Sequence, residues 1–194
     1  MKNIAIFASG TGTNAERIIR YFQERNNACV RLVLTNKPTA GVIQKAENLG
    51  VETRIFDRDT FFGNEELLHE LKKDRIDLIV LAGFLWLVPQ YLLRAYDQRI
   101  INIHPALLPK YGGKGMFGHH VHDAVLKAGE ERSGITIHYV NEKYDDGQII
   151  FQAAVDIDKG ETAESLAKKI HRLEYAHYPR VIDELLQTLP GSSG

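Results

Sequence analysis

The chain is expected to fold as an α/β protein, with a sheet that is parallel in its N-terminal half and gains antiparallel strands in its C-terminal half, and helices on both faces. Three observations predict this. In the first half, short apolar runs of strand character alternate with amphipathic stretches, the order that strand–helix–strand crossovers require. In the second half, two strand-like runs, 134–140 and 148–156, are joined by N-E-K-Y-D-D-G, short enough for an antiparallel hairpin. A long amphipathic stretch then closes the chain.

Residues 3–8, N-I-A-I-F-A, alternate and end in small side chains, as a buried strand does. Residues 9–12 form a turn, after which Thr13 or Asn14 is placed to cap a helix running to about residue 25. A second strand is predicted over 30–34, and a helix over 40–49 that stops at Gly50. Residues 53–56 read as a short third strand, and Asn64 as the cap of a helix over 64–73. Residues 78–82, L-I-V-L-A, form the most hydrophobic strand. The loop G-F-L-W-L-V follows, then a short helix from Pro89 and a strand from Ile100. A glycine-rich loop, 111–118, leads to a helix around 121–128, and the final helix, 163–187, is expected to kink at Pro179. One domain is predicted over 1–189, with P-G-S-S-G at 190–194 read as a disordered tail.

The functional reading centres on I-I-N-I-H-P-A-L-L-P, residues 100–109. Asn102 and His104 are two apart in a strand and share a face. Pro105, which cannot donate to a ladder, ends that strand. An amide donor and an imidazole at the end of a hydrophobic strand suit a reaction that develops negative charge on oxygen. The alternative is a core pair satisfied by nearby backbone.

Composition narrows the classes. At 194 residues with 44% hydrophobic content, the chain has ample apolar material for one core. Lys plus Arg number 24 against 25 for Asp plus Glu, which offers no electrostatic case for nucleic acid or an anionic membrane as partner. The single cysteine, Cys29, excludes an intrachain disulfide and a cysteine-rich zinc site. The opening M-K-N-I-A-I-F-A reads as a strand rather than a leader, no apolar run reaches the length of a membrane span, and the cytoplasm is the expected location.

S-G-T-G-T-N, residues 9–14, lies between the first strand and the first helix, where glycines let the backbone turn and present amides to an anion. With Ala15 it also fits the loose dinucleotide pattern G-x-G-x-x-A. That reading needs an acidic residue at the end of the second strand, and Thr35, Asn36 and Lys37 stand there instead. A phosphate monoester is the better ligand, and a tight structural turn the alternative. His119, His120 and His122 do not all share one helix face and no carboxylate completes a set, so no metal is expected and the three read as solvent-facing or capping side chains. His138 reads as a packed strand histidine, with a supporting role at the site as the alternative. Asp145 and Asp146 are ordinary turn residues before Gly147, unless a carboxylate folds back onto His104 and raises its pKa. Glu174 is either a solvated helix charge or an acceptor facing a ligand.

Taken together, S-G-T-G-T-N, L-A-G-F-L-W-L-V, I-N-I-H-P-A-L-L-P-K-Y, D-D-G and E-Y-A-H-Y-P resemble the glycinamide ribonucleotide formyltransferases, within the folate-dependent formyltransferase superfamily, over the chain from Met1 to about Leu189. The resemblance implies a Rossmann-like sheet and transfer of a formyl group from 10-formyltetrahydrofolate, as co-substrate, to the amine of glycinamide ribonucleotide in purine synthesis, without a metal. It implies that Asn102, His104 and Asp145 are catalytic, and that Gly12, Thr13, Asn14 and Glu174 hold the ribonucleotide. Leu85, Trp86, Leu87 and Val88, with Asn102, would lie along the folate. A monomer or weak homodimer is expected. The chain departs from the family's usual pattern in several places: Asp146 occupies the middle of a D-G-G turn, Trp86 stands where an arginine is common, the loop after Tyr111 is longer, and a folate-contacting arginine near 61–64 is missing. A formyltetrahydrofolate hydrolase, using water as the attacker, and a non-catalytic nucleotide-binding module are the rival readings.

Overall fold

The structure, a computed structural model, describes residues 1–63 and 65–189. Its core is one seven-stranded sheet in the order β3-β2-β1-β4-β5-β6-β7. The strands are β1 (Lys2–Phe7), β2 (Ala28–Thr35), β3 (Glu52–Ile55), β4 (Leu78–Leu81), β5 (Ile100–His104), β6 (Arg132–Tyr139) and β7 (Ile149–Asp156). The pairs from β3 to β5 are parallel, while β5–β6 and β6–β7 are antiparallel. This is the expected Rossmann-like arrangement. The central strands read as near-continuous apolar runs because both of their faces are covered.

The helices are α1 (Thr13–Arg25), α2 (Val42–Glu47), α3 (Arg58–Phe62), α4 (Glu66–Lys73), α5 (Gln90–Ala95), α6 (His119–Lys127) and α7 (Ala163–Thr188). Strand alternation divides the core in two. Ile4, Ile6, Val80, Ile101 and Ile103 pack with Ile18, Val121, Ile170 and Tyr178 from α1, α6 and α7. Ala5, Phe7, Ile79 and Ile100 pack on the other face with Phe61, Leu67, Leu71 and Leu92 from α3, α4 and α5. The chain builds outward from β1 to β3 and then returns to β4 beside β1. The carboxyl ends of β1 and β4 therefore flank the point where strand order reverses, where open α/β sheets form a crevice.

Several expectations change. Neither Thr13 nor Asn14 caps α1: Gly12 occupies the cap in the left-handed region at φ 74°, with no side-chain cap hydrogen bond, and Thr13 is already helical. A Cβ at Gly12 would fall 2.5 Å from the Cα of Val42, so only glycine fits there. α3 was not legible. It is a five-residue helix capped by Asp57, which accepts from the Thr60 amide at 2.8 Å, too short to show a period. The helix of 40–49 shrinks to Val42–Glu47. The long final helix is present as expected, α7 running on past Pro179 with Tyr178, Pro179, Val181 and Ile182 all buried. The Tyr178 hydroxyl also donates to the Leu81 carbonyl at 2.9 Å. The predicted cap at Asn64 and the tail 190–194 lie outside the described residues. No helix among the described residues is long and apolar enough to cross a membrane.

Candidate active site

A cleft of about 820 Å³ opens over the carboxyl ends of β1, β4 and β5, lined by the 9–14 loop, the 81–88 loop and residues 102–105. Parts of the glycine-rich loop, the β6–β7 turn and α7 complete its wall. Every predicted site residue lies on this wall, which places residues from five separate segments around one space.

At its floor, β5 presents Asn102 and His104. Asp145, in the β6–β7 turn, folds back onto them, its backbone in the left-handed region at φ 53°, which aspartate tolerates better than most side chains. Its Oδ2 lies 3.4 Å from Nδ1 of His104, and its Oδ1 3.5 Å from the side-chain nitrogen of Asn102. The Gly113 amide donates to Asp145 Oδ2 at 2.9 Å, and Nε2 of His104 donates to the Tyr111 carbonyl at 2.7 Å. The glycine-rich loop is thus tied to both residues. Gly112 permits that approach, since a Cβ there would sit 3.0 Å from the Asp145 Cβ.

His104 is flanked by two acceptors, the Tyr111 carbonyl and the Asp145 carboxylate, an arrangement fully satisfied only by the protonated ring. Burial opposes that charge and prevails over both neighbours, leaving the imidazole below the ordinary histidine pKa. Asp145 pushes the ring's pKa upward as expected, but desolvation outweighs it, so the expectation that the charged ring is favoured is corrected. For Asp145, burial works upward, but its polar neighbours, among them the His104 imidazole and the Gly113 amide, outweigh it, so the carboxyl stays below its ordinary value. Asp146 does not add charge at this point. Its side chain is turned to solvent, where Lys143 lies 3.9 Å away and Asn141 donates at 3.3 Å.

A second corner forms where α1 begins. With no side chain capping α1, its leading amides remain available at the cleft wall, a suitable seat for an anion. The Asn14 amide donates instead to Glu174 Oε2 at 3.0 Å, and the His171 imidazole meets the same oxygen at 2.8 Å. Glu174 is thus buried at the cleft rather than solvated. The hydrogen bond to Glu174 raises the His171 pKa.

The third wall is apolar. Leu85, Trp86, Leu87 and Val88 line it, and the Ser9 hydroxyl accepts from the Leu85 amide at 3.2 Å while donating to Asn36 at 2.7 Å, joining this loop to the 9–14 turn. Trp86 packs on Phe56, Phe61, Phe62 and Phe84 with ring centroids 5.6–6.3 Å apart. The Arg58 guanidinium lies over Phe62 at 4.9 Å and over Trp86 at 5.4 Å.

Two histidines differ from their sequence readings, and a third was missed. His122 is not solvent-facing: it is buried on the cleft wall, its Nδ1 has no hydrogen-bond partner, and burial followed by the charge of His171 lowers its pKa. Its companions behave as read, His119 exposed beside Asp123 at 3.6 Å and His120 exposed. His138 is more than packing, since it contacts Asn102 at 3.2 Å. His171 was not singled out at all. The signal available was its place three residues before Glu174, one helical turn away on the same face.

The sequence and the fold have counterparts among known proteins. The formyl transferase family model matches residues 2–182. The phosphoribosylglycinamide formyltransferase of Bacillus subtilis is 39% identical over 191 residues, covering 96% of this chain and 95% of that protein. The chloroplastic enzyme of Arabidopsis thaliana is also 39% identical, over 192 residues, and the match spans 96% of this chain but 66% of the plant protein. A crystal structure of phosphoribosylglycinamide formyltransferase from Bacillus halodurans aligns with a TM-score of 0.85 at 38% identity, covering 96% of each chain.

Proposed function

The chain belongs to the formyl transferase family, and on that premise we propose that it transfers the formyl group of 10-formyltetrahydrofolate to the amine of glycinamide ribonucleotide (phosphoribosylglycinamide), a step of purine synthesis. We place this activity in a single domain over residues 1–189, in the cytoplasm, as a monomer or weak homodimer. The observation that carries the reading is the convergence of Asn102, His104 and Asp145 at the floor of a cleft that has an anion seat at one end and an apolar wall at the other.

In this account the ribonucleotide phosphate rests on the α1 amides at Gly12, Thr13 and Asn14, with Glu174 accepting hydrogen bonds from the rest of the ribonucleotide. The folate lies along Leu85–Val88 and reaches Asn102, which brings its formyl carbon to the amine. Holding both reactants makes the attack effectively intramolecular. The amine nitrogen bonds to the formyl carbon and the carbonyl electrons move to oxygen, giving a tetrahedral oxyanion. Asn102 donates to that oxygen, and His104 turns its Nε2–H from the Tyr111 carbonyl to it while Nδ1 stays against Asp145, each such donor being worth roughly 3–4 kcal/mol in a transition state. The negative charge arriving beside His104 offsets the effect of burial and lifts the ring's pKa as the intermediate forms. The proton shed by the amine passes through a water to Asp145, and from there to the leaving folate nitrogen as the carbon–nitrogen bond breaks. No covalent enzyme intermediate and no metal enter this scheme.

The rival is hydrolysis of the formyl folate by the same three residues. Incubating the protein with 10-formyltetrahydrofolate, with and without glycinamide ribonucleotide, separates them. Folate product should form only when the ribonucleotide is present, and turnover without it would favour the hydrolase.

A further inference from the structure

His138 stands opposite Asn102 in the β5–β6 ladder and is 2% exposed. Its Nδ1 lies 2.8 Å from the carbonyl oxygen of Tyr139, a contact that holds only if Nδ1 carries a proton and donates it. A neutral imidazole that donates from Nδ1 leaves Nε2 as a bare lone pair. That nitrogen is 3.2 Å from the side-chain nitrogen of Asn102 and 3.6 Å from Asp145 Oδ1, the second distance being too long for a hydrogen bond. The partner of Nε2 is therefore the Asn102 amide group.

An amide has donors at one end and an acceptor at the other, on a nearly symmetrical shape. Packing alone distinguishes the two ends poorly. A lone pair distinguishes them well, because it attracts the NH₂ group and repels the oxygen. We propose that His138 is a positioning residue whose Nδ1–H tautomer locks the Asn102 side chain with its nitrogen, not its oxygen, toward Asp145 and the reacting formyl group. The proposal rests on the reading of Asn102 as the oxyanion donor. One Asn102 hydrogen is then committed to His138. The other makes only the long 3.5 Å contact with Asp145 Oδ1, so a developing oxyanion can take it over without breaking a strong bond. The Tyr139 carbonyl is the fixed end of this relay, since its own backbone amide is held by Gln148 at 2.9 Å.

Side-chain nitrogen NMR on the wild-type protein, with the His138→Gln variant used for assignment, reads the tautomer directly. Near neutral pH it should show His138 protonated at Nδ1 and bare at Nε2; a proton at Nε2 would overturn the proposal. Kinetics supply the second arm. His138→Leu should lower kcat by about 10- to 100-fold, less than outright loss of a donor, while the KM for formyl folate and the Kd for glycinamide ribonucleotide stay near wild type. His138→Gln, which can still accept at that place, should recover much of kcat. Equal losses in both variants, or a Leu variant with unchanged kcat, would reduce His138 to packing. The nitrogen spectrum does not depend on turnover. It judges the tautomer even if the wild-type protein forms no formylated product, which is the outcome that would sink the functional reading instead.

Discussion

The Asp145 carboxylate meets the His104 imidazole at 3.4 Å, with the side chains only 10% and 3% exposed. In that setting Coulomb interactions are screened far less than at the surface. Removing the carboxylate while keeping its shape, as in Asp145→Asn, leaves the burial of His104 unopposed by its strongest neighbour. The ring's pKa then falls further below the ordinary histidine value. The expected result is a lower formyl-transfer rate and a histidine limb of the pH–rate profile displaced to lower pH. An unchanged profile would remove Asp145 from the mechanism.

Glu174 holds the His171 pKa above 6.5. Between 6.5 and that raised value, His171 is charged in the wild type and largely neutral in Glu174→Gln. Affinity for glycinamide ribonucleotide, measured by titration calorimetry, should fall most in this window. Well below pH 6.5 the ring is charged in both proteins, so only the loss of Glu174's own contact should remain. A pH-independent difference would separate His171 from ligand binding.

Gly12→Ala combines a left-handed backbone with a Cβ 2.5 Å from the Val42 Cα. Strain of this kind costs about 1–3 kcal/mol, a drop of several degrees in Tm for a chain of this size. Because the same residue caps α1, the ribonucleotide Kd should weaken alongside. A variant with wild-type Tm and Kd would contradict the assigned anion seat.

Trp86→Ala removes a ring packed among four phenylalanines on the apolar wall. A contact worth roughly 1–2 kcal/mol corresponds to about tenfold in KM for formyl folate. The ribonucleotide Kd should not move, since the α1 corner lies on another part of the cleft. If both constants change together, the division of the cleft into two ends is wrong.

The parts of the fold that repeat were legible in the sequence, and the parts that depend on single contacts were not. The buried strands stood out because L-I-V-L and I-I-N-I-H have no other economical home than a covered sheet, and period two put Asn102 and His104 on one face. The glycine turn before α1 was legible at Gly12, yet its cap was misread, because the Asn14 side chain finds Glu174 on α7 and so leaves α1 uncapped. His138 and His122 looked bland because a histidine in a strand or helix gives no sign of where its nitrogens point. The five-residue α3 carries no period, although its Phe61 and Phe62 shape the wall around Trp86. The sign of the His104 shift was also beyond reach, since it depends on how completely the ring is desolvated.

The most direct test of the account is His104→Ala, with the single-turnover rate of formyl transfer and the Kd for glycinamide ribonucleotide measured on the same preparation. Loss of one oxyanion donor predicts a rate lowered by about 10²–10³ with the Kd essentially unchanged. A rate that survives, or a loss confined to the Kd, would contradict the claim that His104 stabilises the reacting oxygen.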